Sequence, residues 1–236
     1  SSKNMFYPIK CNNKIDKNLF NLYSKLTLIR NQKVIIGGDH SMSIATVADS
    51  LNRNANTKVI WIDAHADINT PDSSLTNNIH GMPLSFLTGL INQKRILEYT
   101  FIKNKLDFNN LLYIGLRDTD TFEKQILREK NIDVITVNEL ENNLSNSLQK
   151  VENFISGEDV HISFDVDCLD PSVMPCTGTK YQNGITVNTA KLLMDSLRNE
   201  KIRNLDITEL NLDIGCKNDK VTSLQNLFYI FENYLD

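Results

Sequence analysis

Short apolar runs recur along the chain, and each gives way to a polar turn and then to a stretch with helical spacing. The runs are Lys33-Val34-Ile35-Ile36-Gly37, Lys58-Val59-Ile60-Trp61-Ile62, Leu111 to Leu116, Ile132 to Val137, Val160 to Phe164 and Ile202 to Ile207. Their length and β-branched content predict buried strands. Helical spacing predicts helices near Lys17 to Leu28, over Met42 to Leu51 with Ser41 as N-cap, and from Pro83 to about Leu90. Further helices are expected after Asp120, over Glu139 to Ile155, near Asn188 to Leu197, and over Thr222 to Tyr234. Strands that alternate with helices imply βαβ units. The expected fold is α/β, a three-layer α/β/α sandwich around a mainly parallel sheet. No linker or repeat divides the chain, so residues 1–236 are expected to form a single domain.

Composition changes this picture little. The chain has 236 residues, 41% hydrophobic and 23% charged, enough for one well-buried core. A net charge of −4 gives no reason to expect nucleic acid or an anionic membrane as partner. No apolar run approaches the ~20 residues of a membrane span. Nor does the start, Ser1-Ser2-Lys3-Asn4, carry the apolar segment of a secretory signal. Cys11, Cys168, Cys176 and Cys216 lack paired zinc-type spacing, and in a domain this large they read as free thiols of a reducing, cytoplasmic compartment.

The chemistry gathers just after the strands, where ligands of open α/β sheets bind. Asp63, His65 and Asp67 follow the strand with Trp61 and fall two apart. An extended backbone would send all three side chains from one face. Such groups repel one another unless a cation sits between them. Mixed carboxylate and imidazole donors suit Mn, Fe or Zn better than Ca or Mg. Taken alone, the triplet fits a solvated strand end equally well. Its companions change that: His40 follows an earlier strand, and Asp165 and Asp167 follow a later one. Two imidazoles and four carboxylates exceed what one ion needs, and they fit two divalent ions about 3.5–4 Å apart with a hydroxide between them. Four carboxylates cancel two such ions and the hydroxide leaves about one negative charge, so a cationic substrate is favoured.

Three segments carry a resemblance. Gly37-Gly38-Asp39-His40-Ser41, Asp63-Ala64-His65-Ala66-Asp67 and Ser163-Phe164-Asp165-Val166-Asp167-Cys168-Leu169-Asp170-Pro171 resemble, in order, the signature motifs of the ureohydrolases, the arginase, agmatinase and formiminoglutamase family. The resemblance covers roughly Lys33 to Asn211. It implies a binuclear manganese centre, two Mn(2+) per subunit, held by His40, Asp63, His65, Asp67, Asp165 and Asp167. Asp67-Ile68-Asn69-Thr70-Pro71 and Thr76-Asn77-Asn78-Ile79-His80-Gly81 are most similar to arginase. They imply hydrolysis of L-arginine to L-ornithine and urea through a bridging hydroxide.

By the same resemblance, Asn69, Thr76 and Asn78 contact the substrate carboxylate and Asp120 the α-amino group. Thr179 is a substrate or supporting hydroxyl. Glu209 pairs with the guanidinium, His80 relays a proton to the leaving amine, and Asp167 accepts the hydroxide proton. The family pattern also implies a homo-oligomer, trimer or hexamer. The chain departs from that pattern at Asn77, where arginases have glycine, at Lys180, where they have proline, and in a shortened front end. These departures keep two alternatives open: a ureohydrolase for another guanidino substrate such as agmatine, and an inactive relative that binds arginine or ornithine.

Overall fold

The computed structural model describes residues 14–91 and 99–234. Six strands form one parallel sheet: β1 (Lys33–Ile36), β2 (Lys58–Ile62), β3 (Leu111–Ile114), β4 (Asp133–Ile135), β5 (Val160–Asp165) and β6 (Ile202–Thr208). Their order is β1-β6-β5-β2-β3-β4. The chain builds outward from β2 through β3 to β4, then returns to place β5 on the other side of β2. The β2/β5 border is therefore the switch point, where connections leave in opposite directions and open a crevice at the strands' carboxyl ends.

Side-chain alternation divides the interior in two. Val59 and Trp61 of β2 pack with α1 (Lys14–Leu26), α2 (Ser43–Arg53), α3 (Pro83–Thr88) and α4 (Thr121–Glu129). Ile60 and Ile62 face the opposite way, toward α5 (Val137–Asn142), α6 (Leu144–Ile155), α7 (Val187–Leu197) and α8 (Lys217–Phe231). That is the expected three-layer sandwich. Successive strand residues point to opposite faces, so a strand covered on both sides must be apolar throughout, as Val59-Ile60-Trp61-Ile62 is.

Local differences from expectation have local causes. Ser41 is not the N-cap of α2. The chain first makes a single 3₁₀ turn over His40–Met42, capped by Asp39, whose carboxylate accepts from the Ser41 amide. The α-helix proper begins at Ser43. The first helix lies a few residues earlier than its apolar spacing indicated, at Lys14–Leu26. The amphipathic stretch before β5 is two helices, because Asn143 leaves helical geometry at φ −146°, ψ 60°. Cys168, Cys176 and Cys216 are free thiols, and Cys11 lies outside the described residues. Among the described residues no helix is long and apolar enough to cross a membrane.

Candidate metal centre

The ends of β1, β2 and β5 bring all six expected ligands together. The backbone after β2 does not continue as a strand. Asp63 accepts from the His65 amide at 2.7 Å, which turns the chain, and Asp67 sits at φ 49°. The one-face arrangement is therefore made by a turn and a left-handed residue rather than by an extended ladder. Asp and Asn tolerate that region better than most side chains.

Two groups of three ligand atoms result, His40 with Asp63 and Asp67, and Asp63 with His65 and Asp167, each within 4.8 Å. Asp63 belongs to both. His40 Nδ1 lies 3.0 Å from Asp63 Oδ2, 3.0 Å from Asp67 Oδ2 and 3.1 Å from Asp165 Oδ2. His65 Nδ1 lies 3.0 Å from Asp167 Oδ2 and 3.4 Å from Asp63 Oδ1. Trp61 fixes two of these groups: its indole N–H donates to Asp63 Oδ2 at 3.0 Å, and its ring stacks on His40 at 4.1 Å. The Asp167 amide donates to Asp165 Oδ1 at 2.8 Å, and Thr179 Oγ1 donates to Asp167 Oδ2 at 3.1 Å.

The donor set fits divalent cations. His40 is 1% exposed, yet its Nδ1 makes no hydrogen bond of acceptable geometry although three carboxylate oxygens face it. Buried polar atoms are nearly always partnered. An atom aimed at a common point with three carboxylates, and bonded to none of them, is placed as a ligand is.

The electrostatics agree. Burial opposes a charge on His40, but Asp165, Asp63 and Asp67 outweigh it and hold its pKa well above the ordinary value. Burial works the same way on His65, and Asp167 and Asp63 push it up to about 12. Burial would raise Asp63, yet the neighbouring His40 and His65 imidazoles hold it low. Burial and the Asp63 charge push Asp67 up to about 6. Asp165 is raised by burial and by Asp167 and Asp63, and Asp167 by burial and Asp63. The metal-free cluster thus balances itself with protons that cations would replace.

Above the cluster opens a cleft of about 210 Å³, lined by His40, His65, Asp67, Asn69, His80, Gly81, Asp118, Asp120, Glu123, Asp165, Asp167, Thr179 and Glu209. Glu209 adopts φ 63° at the end of β6 and its Oε1 accepts from the His40 amide at 2.8 Å. The same oxygen is 3.3 Å from His80 Nδ1. That bond raises the His80 pKa against a smaller opposing effect of burial. Asn69 Nδ2 donates to Asp120 Oδ2 at 2.7 Å, so two expected substrate residues stand side by side on the rim. Thr76 and Asn78 do not line the cleft; both are exposed, with the Asn78 amide 3.3 Å from Thr76 Oγ1.

Sequence reasoning missed Glu123, Asp118 and Arg117. Glu123 is 5% exposed and accepts from the Asp120 and Ile68 amides, and burial pushes it up to about 7. Its three-residue spacing from Asp120, a capping-box signature, was the available signal. Arg117 binds carbonyls of Gly115, Asp167, Cys168, Leu169, Tyr181 and Gln182, tying the β3 loop to the loop after β5. Nothing in its own neighbourhood of sequence announces those partners.

The fold and site define a three-layer α/β protein with a carboxylate–imidazole centre fit for divalent cations. Comparison with known proteins is more specific, and the chain belongs to the arginase family, whose model matches residues 3–226. It is 38% identical to the arginase of Neurospora crassa over 194 residues, 78% of this chain and 54% of that protein. It is 30% identical to arginase-1 of Bos taurus over 224 residues, 92% of this chain and 70% of that protein. The chain thus spans little more than half the length of the fungal relative. Among solved structures, Bacillus subtilis arginase superposes with a TM-score of 0.84 at 30% identity, covering 97% of this chain and 83% of the other. Entamoeba histolytica arginase, solved with L-ornithine, gives 0.83 at 27% identity, covering 92% and 76%.

Proposed function

We propose that the chain hydrolyses L-arginine to L-ornithine and urea with two Mn(II) ions per subunit. The observation that carries this reading is the pair of ligand clusters joined at Asp63 beneath a cleft walled by carboxylates. His40, Asp63, Asp67 and Asp165 would hold one ion, and Asp63, His65 and Asp167 the other. When bound, the ions supply Lewis acidity that lets water act as a nucleophile near neutral pH. Glu209 faces the cluster from the cleft wall and orients the guanidinium through a paired carboxylate contact. His80, whose pKa the bond to Glu209 raises, gives a proton to the leaving amine. Asp167, whose Oδ2 accepts from Thr179, would take up the proton that the attacking water releases. Asn69, Asp120 and Thr179 seat the amino-acid end on the rim.

Agmatine is the second reading, because Thr76 and Asn78 stand outside the cleft lining, and agmatine has no carboxylate for them to hold. After incubation with Mn(II), urea release is measured from arginine and from agmatine alongside bound metal. Faster release from arginine supports the first reading and faster release from agmatine the second. Two bound ions and no urea from either substrate overturns both. A cytoplasmic homotrimer completes the proposal. It is supported by the free thiols of Cys168, Cys176 and Cys216 and by Phe228, Tyr229, Val221 and Leu192, exposed on α7 and α8, and sedimentation tests the assembly.

A further inference from the structure

Beneath the cleft, between α2 and the sheet, lies a line of buried polar side chains that the proposed chemistry does not use. His40 Nε2 is 2.9 Å from Ser163 Oγ, and Ser163 Oγ is 3.0 Å from Ser43 Oγ. Ser43 Oγ donates to Asp206 Oδ2 at 3.0 Å. The same oxygen accepts from Thr46 and lies 3.1 Å from His161 Nε2. Asp206, His161, Ser43 and Ser163 are wholly buried.

The direction of every bond follows from donor counting. A carboxylate oxygen only accepts, so Ser43 spends its single proton on Asp206. Ser43 must then accept from Ser163, and Ser163, its proton spent, must accept from His40. Once a cation has displaced the second ring proton, the one that His40 keeps is thereby fixed on Nε2. Its Nδ1, facing Asp63, Asp67 and Asp165, is left to present a lone pair to a cation. A metal-bound imidazole whose other nitrogen donates to a fixed acceptor is held in one tautomer and one orientation.

We propose that Asp206, acting through Ser43 and Ser163, is a positioning residue that fixes His40 for one of the two metal ions. This rests on the reading of His40 as a ligand. The inference assigns Asp206 no contact with substrate. It predicts an effect on one ion and not on the other, since the hydrogen bonds of the line lead to His40 and not to His65 or Asp167.

Mn(II) binding is measured by calorimetry and by electron paramagnetic resonance on the wild type and on His40→Ala, Asp206→Asn, Ser163→Ala and the Ser163/Asp206 double variant. The expected result is one ion weakened at least about tenfold in Asp206→Asn and in Ser163→Ala, with the second unchanged. The spectrum of a spin-coupled pair should give way to that of an isolated ion, which a general loss of packing would not produce. The double variant should cost no more than the worse single variant, because both cut one chain. If Asp206→Asn fails to fold, Ser163→Ala, which removes one hydroxyl, carries the test. Two ions bound with wild-type affinity in a folded Ser163→Ala, or equal losses at both sites, overturns the proposal. Two ions retained by His40→Ala instead overturns the ligand assignment itself.

Discussion

Asp63 is the side chain both clusters share, and it accepts bonds from Trp61 and the His65 amide as well. Asp63→Asn is therefore expected to weaken both Mn(II) ions, whereas His65→Asn should weaken one. Titration calorimetry distinguishes them, and losses of at least about tenfold are expected, since even outer partners of ligands cost that much. Protons give a second prediction. The metal-free site holds one on His65 up to about 12 and one on Asp67 up to about 6. Asp67 loses its proton as pH rises through about 6, but His65 keeps its own, so apparent affinity should still rise between roughly pH 6 and pH 8 with release of the His65 proton. Calorimetry in two buffers of different ionisation heat reads that release directly; a pH-independent affinity would refute it. The six candidate ligands were legible because each motif is a short run of consecutive residues whose types state their chemistry. Glu123 and Arg117 were not, since a lone glutamate or arginine gains its meaning only from distant partners.

At the scale of elements, turns carry the site more than strands do. Asn77 occupies φ 56°, a region that asparagine tolerates better than most side chains. Arg117 gathers six carbonyls and so joins the loop after β3 to the one carrying Asp167 and Thr179. Arg117→Ala is expected to lower the unfolding free energy by about 2–3 kcal/mol. Denaturant unfolding measures it, and a loss under about 0.5 kcal/mol, typical of a neutral surface change, would contradict the clamp. Strand positions were readable because a doubly covered strand is apolar along its length. Helix ends were less so. The 3₁₀ turn at His40–Met42 and the break at Asn143 depend on single side-chain bonds and dihedral choices that spacing does not record.

For the whole molecule, the sequence indicated layers and direction but not strand order, because pairing is decided between segments far apart in the chain. The distribution of charge was equally hidden. A net charge of −4 is unremarkable, yet Asp67, Asp118, Asp120, Glu123, Asp165, Asp167 and Glu209 all line one cleft. Cations would offset Asp67, Asp165 and Asp167, but a cationic substrate should still feel the field of Asp118, Asp120 and Glu209, so KM is expected to rise severalfold between roughly 0.05 and 0.5 M salt while kcat changes little. An unchanged KM would argue against electrostatic capture. The sheet order also has a consequence for biosynthesis. β1, which leads into His40, has β6 as its one strand partner among the described residues, with Lys33 beside Asn204. A nascent chain must therefore be made through β6 before β1 finds its seat, and a translation product halted ahead of β6 would leave the ribosome without the strand pair that places His40.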